Sequence, residues 1–180
     1  LLLFGTGLMI QATLHKLVLT HVVGRPELFS NIILLETIVA IAALPFWLRL
    51  SDHIGKHRAL TLAGLWIGLW SLALPMVGDG DIKLYMTLIV LRGSSLGAVV
   101  FLSNSIGADV VDHDTLEAGR QRTGLYFSIW GMAIKMAVAL GVLLATSLPA
   151  FYGFVPSEDM HTESSLSALM IIYGWVPFII

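Results

Sequence analysis

The sequence predicts an all-α integral membrane protein with six transmembrane helices, and three observations carry that reading. Of its 180 residues, 57% are hydrophobic and 12% charged, against roughly 45–50% and about 25% in an ordinary soluble domain. The apolar residues come in runs close to the ~20 needed to cross a bilayer. Those runs lack the strict alternation of barrel strands, so each segment must satisfy its own backbone hydrogen bonds as a helix. With 12 acidic and 10 basic residues the net charge is -2, which provides no broad basic field for nucleic acid. The absence of cysteine excludes disulfide scaffolds, thiol catalysis and cysteine-ligated metal, and leaves the redox compartment open.

The first span runs from about 1 to 23. With no initiator Met, basic leader or small-residue cleavage site in it, this run is expected to be a span and not a signal peptide. The second covers about 30–50, with a kink expected at Pro45, and the third about 59–77, with Pro75 near its end. A tight turn over 51–58 separates these two. A Gly-Asp-Gly-Asp turn at 78–81 leads into the fourth span, about 84–107, and residues 108–123 read as a charged connection. The fifth span covers about 124–148, and a polar stretch precedes a sixth over about 165–180. Both ends lie in apolar runs, as expected of a fragment of a longer membrane protein. Arg49, Lys56, Arg58, Arg120 and Arg122 fall on one set of short loops, and Arg25 and Lys83 on the other. The richer side is expected to be cytoplasmic, with Glu158, Asp159 and Glu163 outside.

Charges within the spans carry the functional signal, because an ionisable side chain at the bilayer centre costs at least ~2.5 kcal/mol without a partner or a watery cavity. Lys135 lies about 11 residues into the fifth span, which at ~1.5 Å per residue places it near the midplane. Its helical neighbours Ser128, Gly131 and Ala139 make a stripe of small side chains. That stripe either faces a cavity or admits another helix closely while Lys135 pairs with a structural carboxylate. Lys16 and Glu36 sit in the outer halves of their spans, where snorkelling or pairing competes with a pathway role. Arg92 is deeper and either binds an anionic group of a solute or answers Glu36. His15 and His21 are either proton carriers near neutral pH or hydrogen-bonded packing residues.

Two polar motifs share the basic side. In Asp52-His53-Ile54-Gly55-Lys56-His57-Arg58 a glycine permits the sharp turn while acids and bases bridge helix ends. In Ala108-Asp109-Val110-Val111-Asp112-His113-Asp114 the carboxylates stand at a helix C-terminus, an unfavourable place unless they answer positive charges. Arg120, Arg122, Lys56 and Arg58 are available for that.

Asp109-Val110-Val111-Asp112, Gly119-Arg120, Gly124-Leu125-Tyr126-Phe127, Lys135 and Gly141 together resemble the glycoside-pentoside-hexuronide:cation symporters, the melibiose-permease-like branch of the major facilitator superfamily. Gly24-Arg25-Pro26 and Gly55-Lys56 extend the likeness along the chain, and the 26-residue spacing from Asp109 to Lys135 is its most specific element. The resemblance implies the C-terminal half-bundle of a twelve-helix fold, with these spans as helices seven to twelve. It also implies solute uptake coupled to a proton or sodium ion by alternating access. The family's cation-binding carboxylates lie mainly in the N-terminal half, so this piece is not expected to transport alone. By the same resemblance, Lys135 stands beside the cation and solute sites, with Trp130, Gly131 and Ile134 on the same cavity-facing stretch. Arg92 and Glu36 join the pathway candidates. Asp109, Asp112, Arg120 and Arg122, with Asp52, Lys56 and Arg58, form a cytoplasmic gate. The partners implied are a small-molecule solute, the remaining half of the protein and the bilayer of a bacterial inner membrane. No cofactor or metal is implied beyond the coupling ion, and no enzymatic activity.

Departures from the family pattern bear on the solute. Thr123 stands where members often carry Glu, Ser103-Asn104 replaces a Pro-aromatic pair, and Val100 occupies the position of an aromatic sugar platform. Arg92, where relatives mostly have small residues, points toward an acidic solute such as a hexuronide or sulfonated sugar. The alternatives from other classes are two. One is a magnesium-dependent prenyl or phosphatidyl transferase, with Asp109, Asp112 and Asp114 as metal ligands. The other is a transporter-like sensor module. The transferase needs a second acidic cluster facing the first, and has no use for Lys135.

Overall fold

The computed structural model describes residues 2–78, 80–156 and 161–179. Leu1, Asp79, Glu158, Asp159 and Ile180, which figure in the expectations above, lie outside them. All regular structure among the described residues is helical: α1 (Leu2–His21), α2 (Phe29–Ile54), α3 (Lys56–Ala73), α4 (Ile82–Gly93), α5 (Leu96–Ala118), α6 (Thr123–Phe151), α7 (Glu163–Gly174) and α8 (Val176–Ile179). Single 3-10 turns at Pro26–Leu28 and Leu74–Met76 join the ends. Five segments, Leu2–His21, Pro26–Ile54, Lys56–Met76, Ile82–Ala118 and Thr123–Phe151, are long and apolar enough to cross a membrane. A sixth, Glu163–Ile179, is apolar and shorter. The protein is an integral membrane protein, and its spans stack as a helical bundle.

Hydrocarbon around a helix is as apolar as its side chains, so these helices associate through close packing and polar contacts. The centre is α1, whose Ile10, Leu14, Val18 and Leu19 are fully buried against Tyr85 and Ile89 of α4 and Leu169 and Tyr173 of α7. A second cluster joins Ala59, Ala63 and Ile67 of α3 to Ala98, Val99 and Leu102 of α5, with Trp47 of α2 at its edge. By contrast α2 and α6 turn most of their side chains outward, 6% and 11% of their apolar windows being buried against 44% for α1. Those two helices flank the bundle, α6 packing mainly on α1 and α2 on α3, α4 and α5.

Three expectations require correction. The turn read over 51–58 is the single residue Gly55, whose φ of +89 reverses the chain between α2 and α3. Asp52 and His53 therefore belong to the last turn of α2, and Lys56 and Arg58 open α3. The charged connection shrinks to Gly119–Arg122, because the helix runs to Ala118 and ends on Gly119 in the left-handed region at φ +62. An aqueous helix end carries charge without penalty, which is why hydropathy placed the boundary too early. The fourth span is broken into α4 and α5 by a turn at Ser94 and Ser95. Pro45 lies inside α2 without ending it, as membrane helices tolerate.

Candidate functional site

Two of the charges within the spans, Arg92 and Glu36, are brought together in the core of the bundle. Arg92 of α4 and Glu36 of α2 are 4% and 9% exposed, and the guanidinium donates to Glu36 Oε1 and to Gln11 Oε1 of α1. Gln11 in turn donates from Nε2 to Ser71 Oγ of α3 at 2.9 Å and to the Tyr173 carbonyl at 3.3 Å. One residue turn away, His15 Nδ1 lies 2.9 Å from the Tyr173 hydroxyl, which is 3.3 Å from that of Tyr85. This polar knot ties α1, α2, α3, α4 and α7 together. Of the two readings open for Arg92, the structure makes the ion pair with Glu36. Its guanidinium is thus engaged with Glu36 and Gln11 inside the bundle. His15 is a buried packing residue, while Lys16 is exposed. His21 lies 3.2 Å from His161, ring edge to ring face, at the opposite end of the bundle from Gly55. Gln11, Tyr85 and Tyr173 escaped the sequence reading, since a lone Gln or Tyr in an apolar run announces no partner.

Immediately after Arg92 the helix breaks, and the break is built in. Interrupting a helix at membrane depth leaves carbonyls without donors, a cost of several kcal/mol each if unmet. Two tryptophans supply the donors. Trp66 Nε1 of α3 reaches the Leu91 carbonyl at 2.7 Å and Ser94 Oγ at 3.0 Å, and Trp47 Nε1 of α2 reaches the Ser94 carbonyl at 2.9 Å. The Gly93-Ser94-Ser95 run was the available signal, because Gly and Ser pairs mark kinks. Polar anchoring below and indole caps beside the break fix α4, while α5 departs from it toward the basic end.

At that end Lys56 Nζ donates to Asp109, 2.6 Å from Oδ2 and 2.8 Å from Oδ1, clasping the start of α3 to α5. Arg122 pairs at 3.1 Å with Asp114, not with Asp109 or Asp112 as expected. The correction follows from α5 continuing as a helix, which carries Asp114 round to the side from which α6 starts. Among the described residues Asp52, Arg58, Asp112 and Arg120 make no ion pair. Lys56–Asp109 is open to water, whereas Asp114 is largely covered, its side chain 19% exposed.

On α6, Lys135 is exposed, as are Ser128 and Ala139 above and below it, and nothing lies near the Gly131 Cα face. No acidic group among the described residues comes within ion-pair distance of Lys135. Beside this face runs a trough between α5 and α6, floored by α1. Its larger hollow, about 210 Å³, is lined by Phe4, Leu8, Val100, Asn104, Trp130 and Ile134 among others. A smaller one of about 100 Å³ continues toward the basic end past Gly107, Val110 and Phe127. The Trp130 ring packs over Gly107, where a Cβ would lie 3.4 Å from it. The structure therefore brings Trp130, Ile134, Val100 and Asn104 into one concave wall, leaves Lys135 and Gly131 of α6 outside its lining, and sets Arg92 and Glu36 apart in the core.

The chain is a helical membrane bundle with one broken span, an ion-paired end and an exposed midspan lysine. The family described as MFS/sugar transport protein matches residues 1–180, and the chain belongs to it. Among curated proteins it is similar to an uncharacterised symporter of Synechocystis, 27% identical over 142 residues, covering 77% of this chain and 26% of that protein. It is also similar to the sodium-dependent lysophosphatidylcholine symporter 1-A of Danio rerio, 23% identical over 159 residues, or 87% of this chain and 30% of that one. A third is a putative glycoside/cation symporter of Escherichia coli, 22% identical over 160 residues, covering 89% of this chain and 35% of the relative. The chain thus spans about a third or less of the length of these relatives.

Proposed function

We propose that this chain supplies one half of a secondary active symporter, in which a proton or sodium gradient drives uptake of a sugar, glycoside or hexuronide-like solute by alternating access. The remaining half comes from the rest of the protein, and a bacterial inner membrane is the setting. The observation that carries the reading is Lys135, a midspan cation exposed on α6 with no acid beside it among the described residues. A charge at that depth demands a partner or water, and a transport pathway between two halves supplies both. The family membership and the relatives named as symporters agree with it.

In this mechanism Lys135 pairs with a carboxylate of the other half when the coupling ion is absent. Binding of the ion displaces the ammonium, so that ion occupancy and solute affinity share one charge balance. The pairs Lys56–Asp109 and Arg122–Asp114 hold the basic, cytoplasmic end closed, and break when α5 moves on inward opening. Asp112, Arg120, Asp52 and Arg58 complete the ring of charge there, engaging only as the end rearranges. The test is uptake by the full-length protein in vesicles, screening glycosides and hexuronides under imposed proton and sodium gradients, with Lys135→Ala beside the parent. Gradient-driven uptake that the variant loses supports the reading. Equal coupled uptake without Lys135 removes the lysine from the mechanism, and magnesium-dependent lipid chemistry in place of uptake overturns the whole proposal.

A further inference from the structure

The end of the bundle opposite Gly55 carries a notch that alternating access leaves without a role. It is a hollow of about 730 Å³ between the end of α1, the turn after α3 and one face of α7. Along α7 its lining residues are Glu163, Leu166, Ser167, Met170, Ile171 and Trp175, which recur every three or four positions and so form a single stripe. Ser167, Ile171 and Trp175 are exposed, so the notch opens sideways from the bundle. Val22, Pro75 and Val77 make its opposite wall. The polar and apolar members of the lining are separated by depth. Gln11 of α1 reaches the Tyr173 carbonyl of α7, so those two residues stand at one level. From there His21 is ten residues further along α1 and Glu163 ten residues back along α7, which at ~1.5 Å per residue raises both by roughly 15 Å. Imidazole and carboxylate therefore share the mouth, where the His21 ring lies 3.2 Å from His161 and edge-on to Phe154. Trp175, at the far end of the stripe, is twelve residues from Glu163, or about 18 Å deeper. That is close to the ~15 Å depth of one hydrocarbon leaflet, half of a ~30 Å core.

A groove with both an acid and imidazoles at its mouth and hydrocarbon along a leaflet's depth has the length and polarity of one phospholipid. We propose that it binds a phosphatidylethanolamine of the bilayer, held as a structural lipid and not carried as the solute. The ammonium of the head donates to the Glu163 carboxylate, and the phosphodiester lies against the His21–His161 pair. One acyl chain runs past Ser167 and Ile171 to Trp175, whose indole N–H is turned to the Leu72 carbonyl at 3.2 Å and leaves its ring as an apolar floor. The carboxylate selects the head. A primary ammonium donates hydrogen bonds to it, a quaternary one cannot, and an anionic head is repelled.

The experiment takes the full-length protein, strips its lipid by detergent exchange and titrates it with phosphatidylethanolamine, phosphatidylcholine and phosphatidylglycerol of identical chains. Native mass spectrometry counts the bound copies. One phosphatidylethanolamine is expected to bind ahead of the other two. Glu163→Gln, at an exposed position that leaves the packing intact, is expected to weaken that lipid about tenfold, the worth of one charge-assisted hydrogen bond, and to bring it level with phosphatidylcholine. Ser167→Trp, which fills the groove at mid-length, is expected to lower binding of all three lipids. Equal binding of the three by the parent overturns the assignment, as does a preference for phosphatidylethanolamine that survives Glu163→Gln. Binding undiminished in Ser167→Trp places the lipid elsewhere on the bundle and overturns it too. Glycerophosphoethanolamine, which has the head without the chains, is expected to compete poorly; competition as strong as the lipid's makes this a site for a soluble head. A parent that retains no lipid at all shows that another part of the polypeptide covers the notch.

Discussion

Arg92 and Lys56 each hold a carboxylate from a neighbouring helix, and the two pairs do opposite work. Arg92–Glu36 is sealed in the core, where Gln11 takes a second guanidinium donor and the side chains are 5% and 11% exposed. Lys56–Asp109 stands at the end of the bundle with side chains 41% and 57% exposed. Withdrawing one member of a buried pair leaves an uncompensated charge in a low dielectric, whereas water replaces a lost partner at the surface. The inner pair is therefore a fixture and the outer one a contact that can open. The symporter proposed above needs both, a rigid body to move and a closure weak enough to release.

The comparison can be broken most easily at its strong end. Arg92→Leu, which leaves Glu36 buried alone, should cost about 3–5 kcal/mol, seen as a collapse of folded yield and melting temperature of the full-length protein in detergent. Joint replacement by Arg92→Met and Glu36→Leu should recover most of that loss. A single variant that melts like the parent would show that water already reaches the pair. Next in size is Trp66→Phe, which keeps the ring but leaves the Leu91 carbonyl without the indole donor. That carbonyl keeps the Ser94 hydroxyl at 2.7 Å, so the loss is one hydrogen bond's net contribution, about 0.5–1.5 kcal/mol, and hydrogen exchange should rise at the Ser94–Ser95 break while the α1 core stays protected. Smallest is the outer pair: Lys56→Gln or Asp109→Asn should change stability by about 0.2–1 kcal/mol, a difference that shrinks with added salt. A double-mutant cycle reading several kcal/mol at high salt would make this pair structural and remove it from the gate.

The legible features were those that hydropathy and chain geometry govern locally. All six apolar segments correspond to helices or helix pairs, and Gly55 and Gly119 stand where the chain turns. The pairing of charges was half legible. Lys56 and Asp109 could be placed on one side by the alternation of spans, but choosing Asp114 for Arg122 needed the helical phase of α5 past residue 107, which composition does not fix. The break after Arg92 was missed because mean hydropathy is indifferent to two serines, while the structure turns on the indoles of Trp47 and Trp66 that meet them.

By itself the sequence determined that this is a helical membrane protein, where its helices turn, and that a lysine stands at mid-membrane on the fifth span. Those are local properties, set by solvation of each segment and by the few residues that permit a reversal. The tertiary structure decided that Arg92 is buried in the core, paired with Glu36. It likewise decided that the fourth span is two helices, and that Val100, Asn104, Trp130 and Ile134 share one concave wall. Each of these depends on which face of one helix meets which face of another, and in a bilayer that choice rests on steric fit and hydrogen-bond partners spread across the whole chain.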